Sequence, residues 1–150
     1  MRTVIRRSIL FVPADRIDRI EKSLGMTADS IAIDLEDAVT PERKNEGRQA
    51  VKKVLEEFDF GSKEVIVRVN SIGTLAGLED MLMLKECRRL PDTLMLPKTE
   101  SAGEVSLFAN ILSEIDEEIK ILVILESGKG ILCAKEILSA SSKITGVVFG

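Results

Sequence analysis

Six short apolar runs rich in β-branched residues punctuate the chain: Ser8–Val12, Ser30–Leu35, Glu64–Val69, Thr93–Leu96, Lys120–Leu125 and Thr145–Phe149. Their centres lie about 23 to 34 residues apart, the size of a strand–helix unit. The runs are continuous rather than alternating, which predicts strands covered by helices. Between them the apolar positions recur at helical spacing. Ile17, Ile20 and Leu24 share a face after Asp15. Thr40-Pro41 reads as a cap and first turn, followed by Val51, Val54, Leu55 and Phe58. Leu75, Leu78, Leu82 and Met83 suggest the core face of a third helix. Ser101 and Glu104 match a capping box ahead of Val105, Phe108, Ala109 and Leu112. Ile131, Ala134, Lys135 and Leu138 continue the rhythm, with Lys135 snorkelling or at the edge of its face. Gly47, inside the second helix, reads as a point of close packing or a bend, because glycine costs a helix about 1 kcal/mol relative to alanine.

A βα repeat of this kind builds either an open doubly wound sheet or most of a (β/α)8 barrel. No GxGxxG follows the first strand, where Phe11-Val12-Pro13-Ala14-Asp15-Arg16 stands instead, so a dinucleotide fold loses weight. Residues 1–150 read as one domain. The sequence ends at Val148-Phe149-Gly150, at the close of the sixth strand and with no crossover after it, which suggests a fragment or a shortened barrel.

Composition narrows the chemistry. The apolar fraction of 45% supports a core, and charged residues at 31% can cover it. A net charge of -4 argues against a general nucleic-acid surface but leaves room for a basic pocket, for which Arg2, Arg6, Arg7 and Arg16 are candidates beside the plainer reading of a solvated arm. There is no histidine, and the two cysteines, Cys87 and Cys133, form no CxxC pair. Zinc sites and imidazole catalysis are therefore unexpected; any metal must be held by oxygen, favouring magnesium, manganese or calcium. No run approaches the roughly 20 apolar residues of a membrane span, and no signal-peptide core follows the basic N-terminus, so a cytoplasmic protein without membrane partners is expected.

Charged groups gather where the predicted strands end. Asp34, Glu36 and Asp37 close the second strand, Arg68 and Asn70 the third, Lys98 the fourth and Glu126 the fifth. Crowded carboxylates repel unless a cation intervenes, and Glu126 after so apolar a strand needs water, a donor or a metal ion. The plainer readings are a solvated acidic turn and a helix-capping carboxylate. Asp34 could equally be an inward structural acceptor. Arg68, flanked by valines, requires an anionic partner: a substrate carboxylate, or an internal bridge to Glu36 or Glu126. Asn70 could add an amide hydrogen bond or form the next turn. Lys98 could complement substrate charge, pair with the acids, form a Schiff base or simply be a loop lysine.

These motifs, in this order, carry a resemblance. Arg7-Ser8-Ile9-Leu10-Phe11-Val12-Pro13-Ala14, Asp34-Leu35-Glu36-Asp37-Ala38-Val39, Arg68-Val69-Asn70, Leu96-Pro97-Lys98-Thr99-Glu100-Ser101 and Glu126-Ser127 resemble the citrate lyase beta subunit and the malyl- and citramalyl-thioester lyases of the HpcH/HpaI aldolase superfamily. The resemblance implies a (β/α)8 TIM barrel of which the first six βα units are present. It implies a magnesium-dependent carbon–carbon lyase, with manganese as an alternative ion, that splits a β-hydroxy acyl thioester into an oxo acid and an acyl thioester. Glu126 would ligate the metal and Arg68 would grip the substrate carboxylate. Glu36 and Asp37 would order metal-bound water; Arg16, Asn70 and Lys98 would line the substrate site. The family's second metal-ligating aspartate would fall after Gly150. Ala14 and Ser127-Gly128-Lys129-Gly130 depart from the family's usual residues. The thioester would sit on coenzyme A or on an acyl-carrier protein. Unclosed edges favour a homo-oligomer, a trimer or hexamer, and lyase-complex subunits are further expected partners. Two other readings stand beside the lyase: a malyl-type thioester hydrolase, and a non-catalytic thioester-binding or assembly subunit.

Overall fold

The computed structural model describes residues 5–150; of the expected basic cluster, Arg2 lies outside them. All six expected strands form: β1 Ile9–Pro13, β2 Ser30–Asp34, β3 Glu64–Arg68, β4 Thr93–Leu96, β5 Lys120–Leu125 and β6 Ile144–Phe149. They make one parallel sheet in the order β1-β2-β3-β4-β5-β6. Each strand lies beside its predecessor and the order never reverses. Right-handed crossovers then place successive helices on the same face, which is barrel-type winding and removes the doubly wound alternative.

The helices are α1 Ile17–Leu24, α2 Lys44–Glu57, α3 Leu75–Glu86, α4 Ala102–Ile115, α5 Gly128–Leu132 and α6 Ala134–Leu138. A three-residue 3-10 turn, Pro41–Arg43, precedes α2. Thr40 stands at its cap position, but its side chain accepts no capping hydrogen bond; its hydroxyl serves the Glu42 carboxylate instead. The capping box forms as expected: Glu104 N–H donates to Ser101 Oγ at 3.2 Å, and Ser101 N–H to Glu104 Oε2 at 3.2 Å.

The core lies between the sheet and its helices. Outward residues of the strands, including Ile31, Ile33, Val65, Val67, Leu94, Ile121 and Val123, pack with Ile20, Val51, Val54, Leu55, Phe108 and Leu112. The reading of Gly47 as close packing holds: a Cβ there would lie 3.1 Å from Leu35 Cδ2 and 3.5 Å from the Ala14 methyl. The other face of the sheet carries a smaller apolar patch, Ala32, Ile66, Met95, Leu122 and Ile124.

Two helices differ from expectation. On α3 the expected face is mostly the wet one: Leu75, Leu78 and Leu82 are 79%, 46% and 63% exposed, while Met81, Met83 and Leu84 are buried. The helix is apolar nearly all round, so spacing alone could not orient it. The last helix is two short ones broken at Cys133, with Ile137 in the core and Ile131 and Leu138 outside.

The sheet curls around a polar layer at the strands' N-terminal edge. Buried Glu64 accepts from Arg6 Nη2 at 2.6 Å, Ser30 Oγ at 2.7 Å and Thr93 Oγ1 at 2.7 Å. Arg6 also reaches Thr145 Oγ1 on β6 at 3.1 Å. One side chain thus links the approach to β1 with strands β3, β4 and β6. The expected basic cluster is split by the fold. Arg6 and Arg7 precede β1 and pair with Glu64 and Asp29, whereas Arg16 follows β1 at the opposite edge and pairs with Asp18. Among the described residues no helix is long and apolar enough to cross a membrane.

Candidate functional site

At the C-terminal edge of the sheet, Asp34 and Arg68 end adjacent strands directly opposite each other. Both belong to the inward set, so their side chains meet above the inner apolar patch. Arg68 donates through Nε to Asp34 Oδ1 at 2.8 Å and through Nη2 to Asp34 Oδ2 at 2.6 Å. This two-point pairing fixes the plane of the guanidinium. The Phe11 ring lies 5.4 Å from Arg68 Cζ and adds a cation–π contact. The hydrogen-bonded Asp34 carboxylate raises the Arg68 pKa further, so it stays a cation.

Asp34 does more than pair. Its oxygens also accept Glu36 N–H at 2.8 Å and Ala38 N–H at 3.2 Å, so it folds the acidic loop back over the strand end. Glu36 is buried there with Oε2 at 3.4 Å from Arg68 Nη1. That oxygen is a buried polar atom with no hydrogen-bond partner. The Lys98 ammonium bonds Glu36 Oε1 and lies 3.1 Å from Asp37 Oδ1. These hydrogen bonds, first to Glu36 and then to Asp37, raise the Lys98 pKa, and Lys98 in turn lowers that of Asp37. The Lys98 backbone, at φ 49, is left-handed, and its N–H donates to Glu126 Oε1 at 2.8 Å. Glu126 is half-buried just beyond β5.

The fold therefore joins Glu36, Asp37, Arg68, Lys98 and Glu126 through Lys98 and Glu36. It leaves two expected residues apart. Asn70 is buried with its amide turned inward, donating to Asp80 Oδ2 at 2.8 Å and to the Leu35 carbonyl at 3.1 Å. Arg16 is partly exposed at the exit of β1, held by Asp18 at 2.7 Å.

Three supporting groups escaped the sequence reading. Lys44, the first residue of α2, donates to the carbonyls of Leu35 and Glu36 and so anchors the acidic loop. Burial lowers its pKa against the pull of Asp80, Glu36, Asp34 and Asp37. Asp80 is wholly buried on α3, accepts from Arg48 Nε at 2.8 Å and Asn70 N–H at 2.7 Å, and has its pKa raised by burial. Its sequence signal was an acid beside Glu79, directly ahead of the apolar run Met81-Leu82-Met83-Leu84. Phe11 and Lys44 gave none, since an aromatic in a strand and a lysine in a first turn are ordinary.

Gly130, near the start of α5, brings the Glu126 and Lys98 loops together. A Cβ at this position would lie 2.5 Å from the Thr99 carbonyl oxygen, so only glycine permits the approach.

The donors suit a hard cation in kind, being carboxylate oxygens, one of them buried without a partner. Among the described residues, however, no three His, Cys, Asp or Glu side chains are grouped closely enough to hold a metal. Magnesium tolerates such a sparse set because it keeps several waters and binds through one or two carboxylates. A cleft of about 1130 Å³ opens at the opposite edge of the sheet. There Arg6, Arg7 and Arg88 are already paired with Glu64, Asp29 and Glu56.

A parallel βα sheet with an oriented arginine and carboxylates at the carboxyl ends of its strands defines an α/β protein of the kind that places its chemistry at that edge. The chain belongs to the HpcH/HpaI aldolase/citrate lyase family, whose model matches residues 7–150. It is 34% identical over 145 residues to the mitochondrial citramalyl-CoA lyase of Homo sapiens, covering 93% of this chain and 43% of that protein. It is 34% identical to the (3S)-malyl-CoA thioesterase of Cereibacter sphaeroides, covering 96% of this chain and 48% of that one. A solved structure of the citrate lyase beta subunit of M. tuberculosis, complexed with oxaloacetate and magnesium, superimposes with a TM-score of 0.75 at 32% identity, over 95% of this chain and 56% of that one. The chain thus spans about half the length of these relatives.

Proposed function

We propose that the curled sheet is an arc of a (β/α)8 barrel and that the protein cleaves a carbon–carbon bond in a β-hydroxy acyl-CoA of the citryl, malyl or citramalyl type. The observation that carries this reading is the Arg68 guanidinium. It is held in a fixed plane by Asp34 and Phe11 at the carboxyl edge of the sheet, with Glu36 and Glu126 nearby. The similarity to a lyase and to a protein complexed with oxaloacetate and magnesium supports it.

Arg68 binds the carboxylate of the oxo-acid half; its orientation is set before substrate arrives, so little ordering remains on binding. Glu126, steadied by the Lys98 N–H, would hold magnesium, and Glu36 and Asp37 would hold water around it. Magnesium, when bound, supplies positive charge that stabilises developing oxygen charge and makes the substrate hydroxyl more acidic. In the reaction the hydroxyl proton leaves and its carbon–oxygen bond becomes the oxo-acid carbonyl. The carbon–carbon bond breaks with its electron pair passing to the acyl thioester, which then takes a proton at its α-carbon. Arg16, at the exit of β1, lies at the same edge and would meet the more distant part of the substrate.

Similarity to a malyl-CoA thioesterase favours a second reading, in which the same groups support attack of water on the thioester. Incubating the whole protein and magnesium with citryl-, malyl- and citramalyl-CoA, then analysing products, separates the two. Oxo acid plus a shorter acyl-CoA indicates the lyase; free hydroxy acid plus coenzyme A indicates the hydrolase. Arg68→Ala is expected to lower kcat/KM by at least about a hundredfold. Retention of full turnover by that variant would sink the assignment of Arg68.

A further inference from the structure

We propose that Lys98 is a built-in counter-cation of this site, which weakens binding of a divalent cation while strengthening binding of a carboxylate ligand. The proposal rests on the reading of the site given above but concerns a property that reading does not require.

Lys98 touches three of the four carboxylates of the site. The Lys98 ammonium lies on Glu36 and Asp37, and the Lys98 N–H lies on Glu126. Its backbone is the single non-glycine residue with positive φ among the described residues, so the fold holds it in a conformation that lysine disfavours. Glu36 divides its carboxylate between Lys98 at Oε1 and Arg68 at Oε2, and the latter oxygen, buried, makes no hydrogen bond. Asp34, Glu36, Asp37 and Glu126 carry four negative charges, against which Arg68, Lys98 and Lys44 set three positive ones. Removing the Lys98 charge leaves the site with one more uncompensated negative charge.

Cation and anion must then respond in opposite senses. Without the ammonium, Glu36 and Asp37 attract a divalent ion more strongly and repel an approaching carboxylate. Because Lys98 is about half exposed, solvent screens the effect. A residue that merely holds the loop together would, when replaced, weaken both ligands together. Lys98→Met keeps the chain length and the backbone N–H on Glu126 while deleting the charge; Lys98→Arg keeps the charge.

The experiment is calorimetric titration of the full chain and both variants, first with magnesium chloride and separately with malonate as an unreactive dicarboxylate. A thermal melt of each protein checks that the fold is retained. The expected result for Lys98→Met is magnesium affinity raised about threefold to tenfold and malonate affinity lowered by a similar factor, with Lys98→Arg near wild type. Weakening of both ligands, or no change in either, overturns the proposal. Should the wild-type protein bind no magnesium at all, the reading of Glu126 as a metal ligand falls. The malonate titration still decides the role of Lys98, because unchanged affinity in Lys98→Met overturns it.

Discussion

The pairing of Asp34 with Arg68 sets what each residue at the site is free to do. Asp34 spends both oxygens on Arg68 and on two backbone N–H groups, so it is the organiser of the loop rather than a group offered to substrate. Of the readings open from sequence, the inward structural acceptor describes it. Replacing it leaves a largely buried guanidinium without its main anion. Asp34→Asn is therefore expected to lower unfolding free energy by about 3 kcal/mol in urea titration. A loss below roughly 1 kcal/mol would mean that Glu36 takes over the guanidinium. Glu126 behaves differently, since one oxygen accepts the Lys98 N–H and no cation in the described residues pairs with it in the same way. Glu126→Gln should retain the fold yet lose magnesium binding in calorimetry; unchanged affinity would remove it as a ligand.

At the level of the element, α3 shows why an apolar pattern can mislead. Leucines at 75, 78 and 82 have helical spacing, but of the expected face only Met83 packs, and Met81 and Leu84 do the rest, together with the buried Asp80. The orientation is decided by what α3 must meet: Arg48 from α2 and Asn70 at the end of β3 both converge on Asp80. Leu84→Ala is thus expected to cost about 2–5 kcal/mol, whereas Leu82→Lys should stay within about 0.5 kcal/mol of wild type. Chemical denaturation of the two variants checks this, and the reverse order would restore the expected face. For α4 the local signal was sufficient, because capping depends only on neighbours in sequence. Ser101→Ala should cost about 1 kcal/mol.

For the whole molecule, acid stability depends on carboxylates held by the arginines that precede β1. Burial pushes the Glu64 carboxyl up, but Arg6, Thr93 and Ser30 together hold it below its ordinary value. Arg7 lowers Asp29 to about 2. Both groups bind protons more weakly in the folded chain than in the unfolded one. Their contribution is complete above the ordinary carboxylate range and is lost as pH falls through the lowered values. Asp80, raised by burial, works in the opposite sense, because the folded chain protonates it more readily. Asp18, Asp37, Glu42, Glu46, Glu56 and Glu100 are lowered as well and act in the same sense as Glu64 and Asp29, so the urea midpoint should fall between pH 6 and pH 3. The fall should be smaller in Glu64→Gln, which has no proton to gain at that position. An equal fall in both proteins would show that the Glu64 network does not govern acid stability.

The six strands, the capped α4, the class of fold and the cast of charged residues at the strand exits were legible in the sequence by itself. Strand runs and caps are local, and a polar side chain after an apolar run announces itself wherever it folds. The partners of those side chains were not legible. That Arg68 chooses Asp34 follows from the parallel register of β2 and β3, and that Asn70 turns inward follows from the position of Asp80 on a helix. Lys98 reaches Glu36, 62 positions away in sequence, because β2 and β4 both end at one edge of a curled sheet. Such pairings are settled by register, curvature and helix rotation, which depend on contacts between segments that no local pattern encodes.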